Sequence, residues 1–170
     1  MAAPPAPPVA APPVSASPPP PPAQVAPPPL PAAAPAAAPV PVVNDPHGLG
    51  IALGRLGGGA RRGSKSCAAA LAVLLEQGEV IEGMVAGQVY GANALLALTT
   101  ARLIAVNDRE FKPDVVEVPL ESATTVQGWQ DDRNAALLVQ GTSQAVQIER
   151  IADRPLAMDL AQRIRARIAG

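Results

Sequence analysis

Nineteen of the chain's 22 prolines fall within residues 1–46, a stretch that holds no charged residue before Asp45. That skew limits what can fold. Each proline removes a backbone donor and locks its own φ, and a run of Pro, Ala and Val without aromatic residues buries too little to offset its ordering entropy. Residues 1–46 are therefore expected to be a disordered Pro/Ala-rich tail of polyproline II character, up to about 140 Å long at ~3.1 Å per residue. Its PxxP steps would suit a proline-recognising groove. No basic anchor stands beside them, which favours a plain tether. The packed core has to come from the rest of the chain, whose length is close to the commonest domain size.

Residues 47–65 change character abruptly. Seven glycines are interleaved with Arg55, Arg61, Arg62 and Lys65, and no acidic residue lies between Asp45 and Glu76. The run GGARRGSKS at 58–66 invites a phosphate-loop reading. That loop needs Lys directly after its last Gly, followed by Ser or Thr, and it follows a strand. Here Ser64 separates Gly63 from Lys65 and no strand pattern precedes them, so a nucleotide-hydrolysing site is excluded. The expectation is a flexible Gly/Arg-rich linker. Its four cations suit weak, salt-sensitive contact with phosphate, anionic lipid or an acidic partner.

The folded unit is expected over 66–170. Residues 66–77 carry Leu71, Leu74 and Leu75 on one stripe of an Ala-rich helix, with Ser64 or Ser66 to cap it and Gly78 to end it. The period then shifts toward two. A first strand spans 80–90, with Gly83 and Gly87 as candidate bulges, and Gly91, Ala92 and Asn93 form a turn. A hairpin follows over 94–107, where two apolar runs flank Thr99, Thr100, Ala101 and Arg102. Its threonine hydroxyls can satisfy turn backbone groups, and Arg102 can reach a neighbouring carboxylate or carbonyl. After a loop at 108–111, Val116, Val118 and Leu120 alternate with polar residues, and Pro119 marks an edge or an end. Strands over 124–130, 135–140 and 144–150 complete seven. A last amphipathic helix has Asp153 as N-cap and Ala157, Leu160, Ala161, Ile164 and Ile168 on its apolar face. Arg163 and Arg167 lie on another face. The expected class is mostly β (α+β): a bent antiparallel sheet or partial barrel capped by the C-terminal helix and preceded by a short helix.

Chemistry-bearing residues are few. Cys67 is the single cysteine, which rules out an intrachain disulfide and a thiolate metal cluster, and it reads as a packing residue. His47 is the single histidine, too little for a metal site, and reads as a surface or linker residue. Nothing pairs a nucleophile with a base, so no enzyme activity, cofactor or metal is expected. Thirteen basic and 14 acidic residues give no pull toward nucleic acid. The N-terminus lacks a basic start and a long apolar run, and the apolar stretch 67–75 is about half the ~20 residues that span a bilayer. A cytoplasmic protein is expected, at most peripheral to the inner face of a membrane.

The order of elements, with GEVIEGMV (78–85), LALTTARLIAV (96–106) and VEVPLESATTV (116–126), resembles the bacterial pleckstrin-homology-like (PH-like) domains of the YokE type. The family's hairpin mark falls on Leu98, Thr99, Arg102, Leu103 and Ile104, and its proline-containing strand on Val118, Pro119 and Leu120. The resemblance covers about residues 68–168 and neither N-terminal segment. It implies a PH-like seven-stranded sheet closed by a helix and says little about activity. Phosphoinositide-binding relatives carry basic residues around the first strand turn. Residues 88–93 contain none, which argues against such a ligand. The functional expectation is a non-catalytic protein-interaction or self-assembly module, with Trp129, Arg163 and Arg167 as candidate surface residues. The alternative is an adaptor for anionic membrane surfaces acting through Arg55, Arg61, Arg62 and Lys65.

Overall fold

The computed structural model of the chain describes residues 45–109 and 114–170. The expected tail lies outside these apart from Asp45 and Pro46. Three short helices come first: α1 (Leu49–Arg55), α2 (Gly58–Gly63) and α3 (Lys65–Leu74). Seven strands follow: β1 (Ile81–Val89), β2 (Ala92–Thr99), β3 (Arg102–Asn107), β4 (Val115–Pro119), β5 (Thr125–Gln130), β6 (Ala135–Gln140) and β7 (Ala145–Ile151). Helix α4 (Arg154–Ala169) closes the fold.

The strands form one antiparallel sheet in the order β4-β3-β2-β1-β7-β6-β5. Its halves, β1–β4 and β5–β7, meet where Gln88 pairs with Glu149, and there the sheet bends. One core fills the inside of the bend. Val85, Leu96, Leu98, Leu103, Val118, Leu137, Val139 and Ile148 pack against Leu160 and Ile164 of α4. The helix starts as its sequence implies, with Asp153 Oδ1 accepting from the Leu156 amide at 3.2 Å. The bent seven-stranded sheet with its capping helix is the PH-like fold that the resemblance implied.

A second core lies on the opposite face of β1–β3. Met84, Leu95, Ala97, Ile104 and Val106 pack there against Ala52, Leu56, Cys67, Ala68 and Leu71. Strands β2 and β3 are therefore covered on both faces, which explains why their sequence reads as continuous apolar runs rather than alternation.

This second core corrects the reading of residues 47–65. They are not a flexible linker: α1 and α2 occupy them and pack on the sheet, and the folded unit begins by Asp45. Their glycines make them poor helix formers in isolation. Burial of Ala52 and Leu56 against the sheet supplies what propensity lacks. Asp45 adds a cap, its Oδ2 accepting from the amides of Gly50 at 2.8 Å and Ile51 at 3.2 Å. His47 is likewise part of the fold. Its Nδ1 lies 2.7 Å from the Glu79 carbonyl, and its own carbonyl accepts from the Ile81 amide at 2.8 Å.

Smaller departures have local causes. Helix α3 ends at Leu74, a turn before Gly78. Ser64 stands at its N-cap, but the hydroxyl donates back to the Ala60 carbonyl at 2.8 Å. The β1–β2 turn is made by Tyr90 and Gly91, both at positive φ, one step earlier than expected. A register shift between Ile81 and Gly83 marks the first candidate bulge. Gly87 is in register with Ala94 and serves another purpose: a Cβ there would collide with the Glu149 carbonyl oxygen and meet Ile148 Cγ1 at 2.8 Å.

Candidate functional site

Two places on the domain hold more than simple packing: a charged centre under the β2–β3 turn, and a groove beside edge strand β5. The first is built around Arg102. It opens β3 beside α3, so its guanidinium reaches three elements at once. Nη1 contacts Glu117 Oε2 at 2.9 Å and Glu76 Oε1 at 3.2 Å. Nη2 donates to the Leu74 carbonyl at 3.0 Å and contacts Glu79 Oε2 at 3.3 Å. The Leu74 contact caps the end of α3, where a cation also suits the helix dipole. Thr99 completes the centre. Its hydroxyl donates to Glu79 Oε1 at 2.6 Å and accepts from the Arg102 amide at 3.0 Å.

Glu79 is the buried anion of this group, its side chain 3% exposed. Burial acts to raise its pKa. The Glu76 amide, the Thr99 hydroxyl and Arg102 act in the other direction and win, holding the carboxyl below the ordinary glutamate value. The hydrogen bonds and ion pairs of the centre join α3, the β2–β3 turn and β4, and Arg102 Nε is left buried without a partner among the described residues. Thr99 and Arg102 perform the structural duties their positions implied. The sequence reading did not name their partners, because Glu76, Glu79 and Glu117 are distant along the chain.

Cys67 has no reactive environment. Burial and the charge of Asp108 push its thiol up to about 11, and Sγ lies 3.4 Å from the Asn93 carbonyl. Among the described residues, no three His, Cys, Asp or Glu side chains gather as a metal site.

The proposed surface residues fall into separate places. Arg55, Arg61, Arg62 and Lys65 are all exposed, and among the described residues none of them is in an ion pair. Arg55 shares a cleft of about 230 Å³ with Arg163, where Glu82 and Asp159 balance the charge. Arg163 is held by Asp159 at 2.7 Å. Arg167 reaches back to the Thr100 carbonyl at 2.7 Å and to Glu82 at 3.4 Å, which fixes the end of α4 to the sheet. Both arginines thus have intramolecular work.

Trp129 stands apart from them on β5, 48% exposed. It lines a groove of about 220 Å³ between β5, β6 and α4. Met158 of α4, 53% exposed, lies on the same groove. Sequence reasoning singled out Trp129 but not Met158, which falls outside the apolar stripe of α4. The available signal was β5 itself, TVQGWQ, a strand without a charged residue.

No helix among the described residues is long and apolar enough to cross a membrane. No protein-family model matches the chain, and no curated protein matches it. Solved structures similar to it include two from Shewanella. One is a pleckstrin homology domain from Shewanella amazonensis SB2B, 18% identical, with a TM-score of 0.41, covering 62% of this chain and 98% of its own. The other is a DUF1696 family protein with a pleckstrin-homology domain from Shewanella loihica PV-4, also 18% identical with a TM-score of 0.41, covering 58% of this chain and 93% of its own. The fold assignment stands on the strand order and the capping helix of the chain itself: a seven-stranded PH-like domain.

Proposed function

We propose that the chain is a non-catalytic PH-like protein of the YokE type, working as a protein-interaction or self-assembly module with its Pro-rich segment as a tether. The observation that carries this reading is β5. It is an edge strand, exposed at five of its six positions, and it carries the half-exposed Trp129. An open edge is a ready template for another chain, and tryptophan is enriched at binding hot spots. The polar centre at Arg102, by contrast, is consumed by the fold.

The reading is tested by sedimentation equilibrium over a wide concentration range, paired with affinity capture on the immobilised full chain. Concentration-dependent assembly, or stoichiometric retention of one protein that Trp129→Ala reduces, is the expected result. A chain that stays monomeric throughout and retains nothing contradicts the module.

A second reading is favoured by the four exposed cations of the N-terminal helices, which stand in a stretch without acidic residues. As an anionic-surface adaptor, the chain co-sediments with phosphatidylserine vesicles at low salt and is released by about 0.5 M salt. Exchanging Arg55, Arg61, Arg62 and Lys65 for glutamine abolishes that binding. Equal sedimentation of the two forms, or none by either, removes this role.

A further inference from the structure

We infer that the cleft between α1, the start of β1 and α4 binds a small aliphatic carboxylic acid, its carboxylate on Arg55 and its chain on the apolar lining. This goes beyond both readings above and depends on neither.

The cleft follows from the bend of the sheet. Strand β1 pairs with β2 along its length, but among the described residues only Gln88 of β1 pairs with β7. The first half of β1 is thus left without a neighbour on that side. Helix α4 packs on one face of the sheet and α1 on the other. Beside the unpaired part of β1 both helices line one cleft of about 230 Å³. Gly83 brings the α4 wall in closely, since a Cβ there would meet Leu160 Cδ1 at 3.0 Å and Arg163 Cδ at 3.5 Å.

The lining is apolar at its base and open at its rim. Ala52, Met84 and Leu160 are buried, whereas Ile51 is 66% exposed and Val80 39%. Two large aliphatic side chains left in water beside one cavity form a surface that a hydrocarbon chain covers with a gain in free energy.

The charges add the second requirement. Arg55, Glu82, Asp159 and Arg163 line the cleft. Both acids are answered from within the chain. Asp159 Oδ2 lies 2.7 Å from Arg163 Nε, and Glu82 Oε1 lies 3.4 Å from Arg167 Nη2. Arg167 stands outside the lining, so it adds a third cation to the two acids. Arg55 is the cation left over, and among the described residues it is in no ion pair. One carboxylate completes the balance, and the guanidinium fork matches its two oxygens. A bare anion would leave Ile51 and Val80 uncovered, and an uncharged chain would leave Arg55 unanswered. A short-chain acid meets both needs, and the cleft is smaller than the usual site for a drug-sized ligand.

The isotope-labelled full chain is titrated with hexanoate and followed by amide NMR. Hexanamide serves as the uncharged counterpart and acetate as the one without a chain. Hexanoate shifts the signals of Gly48, Ala52 and Gly83 saturably, and each counterpart needs about tenfold more, the size expected for one lost charge-assisted or apolar contact. The exposed substitution Arg55→Gln, checked for folding by circular dichroism, lowers hexanoate to the level of hexanamide. Ile51→Ser, also exposed, lowers it to the level of acetate. Three results overturn the assignment: no saturable shift with hexanoate, equal response to either counterpart, or a preference for hexanoate over hexanamide that survives Arg55→Gln. A peptide ending in a free leucine carboxylate that displaces hexanoate at lower concentration also overturns it, by giving the cleft to the end of a partner chain.

Discussion

Replacing Arg102 with methionine lowers stability by about 3–5 kcal/mol, the usual cost of stranding a buried charge by removing its partner. In a folded unit of this size that corresponds to a fall in Tm of about 10–20 °C, measurable by calorimetry. The loss has three parts: Glu79 keeps its burial without its cation, the end of α3 loses its cap, and Glu117 of β4 loses its tie to the turn. Glu79→Gln on top of Arg102→Met recovers part of the loss, because the neutral amide removes the stranded charge. A cost below about 1 kcal/mol for Arg102→Met, typical of a surface position, contradicts the structural role assigned to this centre.

The acid limb of the stability curve gives a second measurement of the same centre. In the folded protein the Glu79 pKa is lowered, so the unfolded chain binds its proton first as the pH falls. The stabilisation is complete above the ordinary glutamate value of 4.5 and is lost as pH falls through the depressed folded value. Without Arg102, burial is opposed only by the Glu76 amide and the Thr99 hydroxyl, so the charged form is favoured less. The difference between wild type and Arg102→Met therefore narrows as the pH drops below about 4.5.

The substitution Gly87→Ala destabilises the fold by about 3 kcal/mol, at the upper end for one added methyl group. Gly87 lies beside the Gln88–Glu149 pairing that joins the two halves of the sheet. The added Cβ collides with the Glu149 carbonyl oxygen and crowds Ile148 Cγ1 at 2.8 Å and Ile151 Cγ1 at 3.1 Å. A backbone oxygen in a sheet cannot rotate away as a side chain can, so the halves must separate where the bend is made. Gly54→Ala is the contrasting case. No atom outside its own helix lies within 4 Å of the added Cβ, and the change stabilises α1 by about 0.5–1 kcal/mol. Urea unfolding of the two variants with opposite signs is the expected result, and a neutral Gly87→Ala contradicts the close approach.

The seven strands and α4 are legible because their information is local. Alternation in 116–120, the apolar stripe of 157–168 and the polar step at Thr99–Arg102 each specify an element through near neighbours. The same logic failed for residues 47–65, where glycine and arginine argue for a linker by propensity alone. A clue was present elsewhere, since the runs of β2 and β3 are apolar on both faces. One helix, α4, can cover only one of those faces. The other required the N-terminal helices.

The candidate surfaces divide in the same way. Trp129 could be singled out as a lone aromatic residue on a strand. Its neighbours Met158 and Arg165 come from a helix nearly thirty residues or more away, and only packing places them on one groove. Arg163 and Arg167 looked available in sequence and proved to be engaged by Asp159, Glu82 and the Thr100 carbonyl.

By itself, the sequence determined the order and kind of the elements from α3 onward, because periodicity and turn chemistry act over a few residues. Tertiary structure alone decided where the folded unit begins, which acids answer Arg102, and why Gly87 has no side chain. Those outcomes depend on burial between segments 15 or more residues apart, where a helix is kept for the face it covers and a charge for the partner it meets.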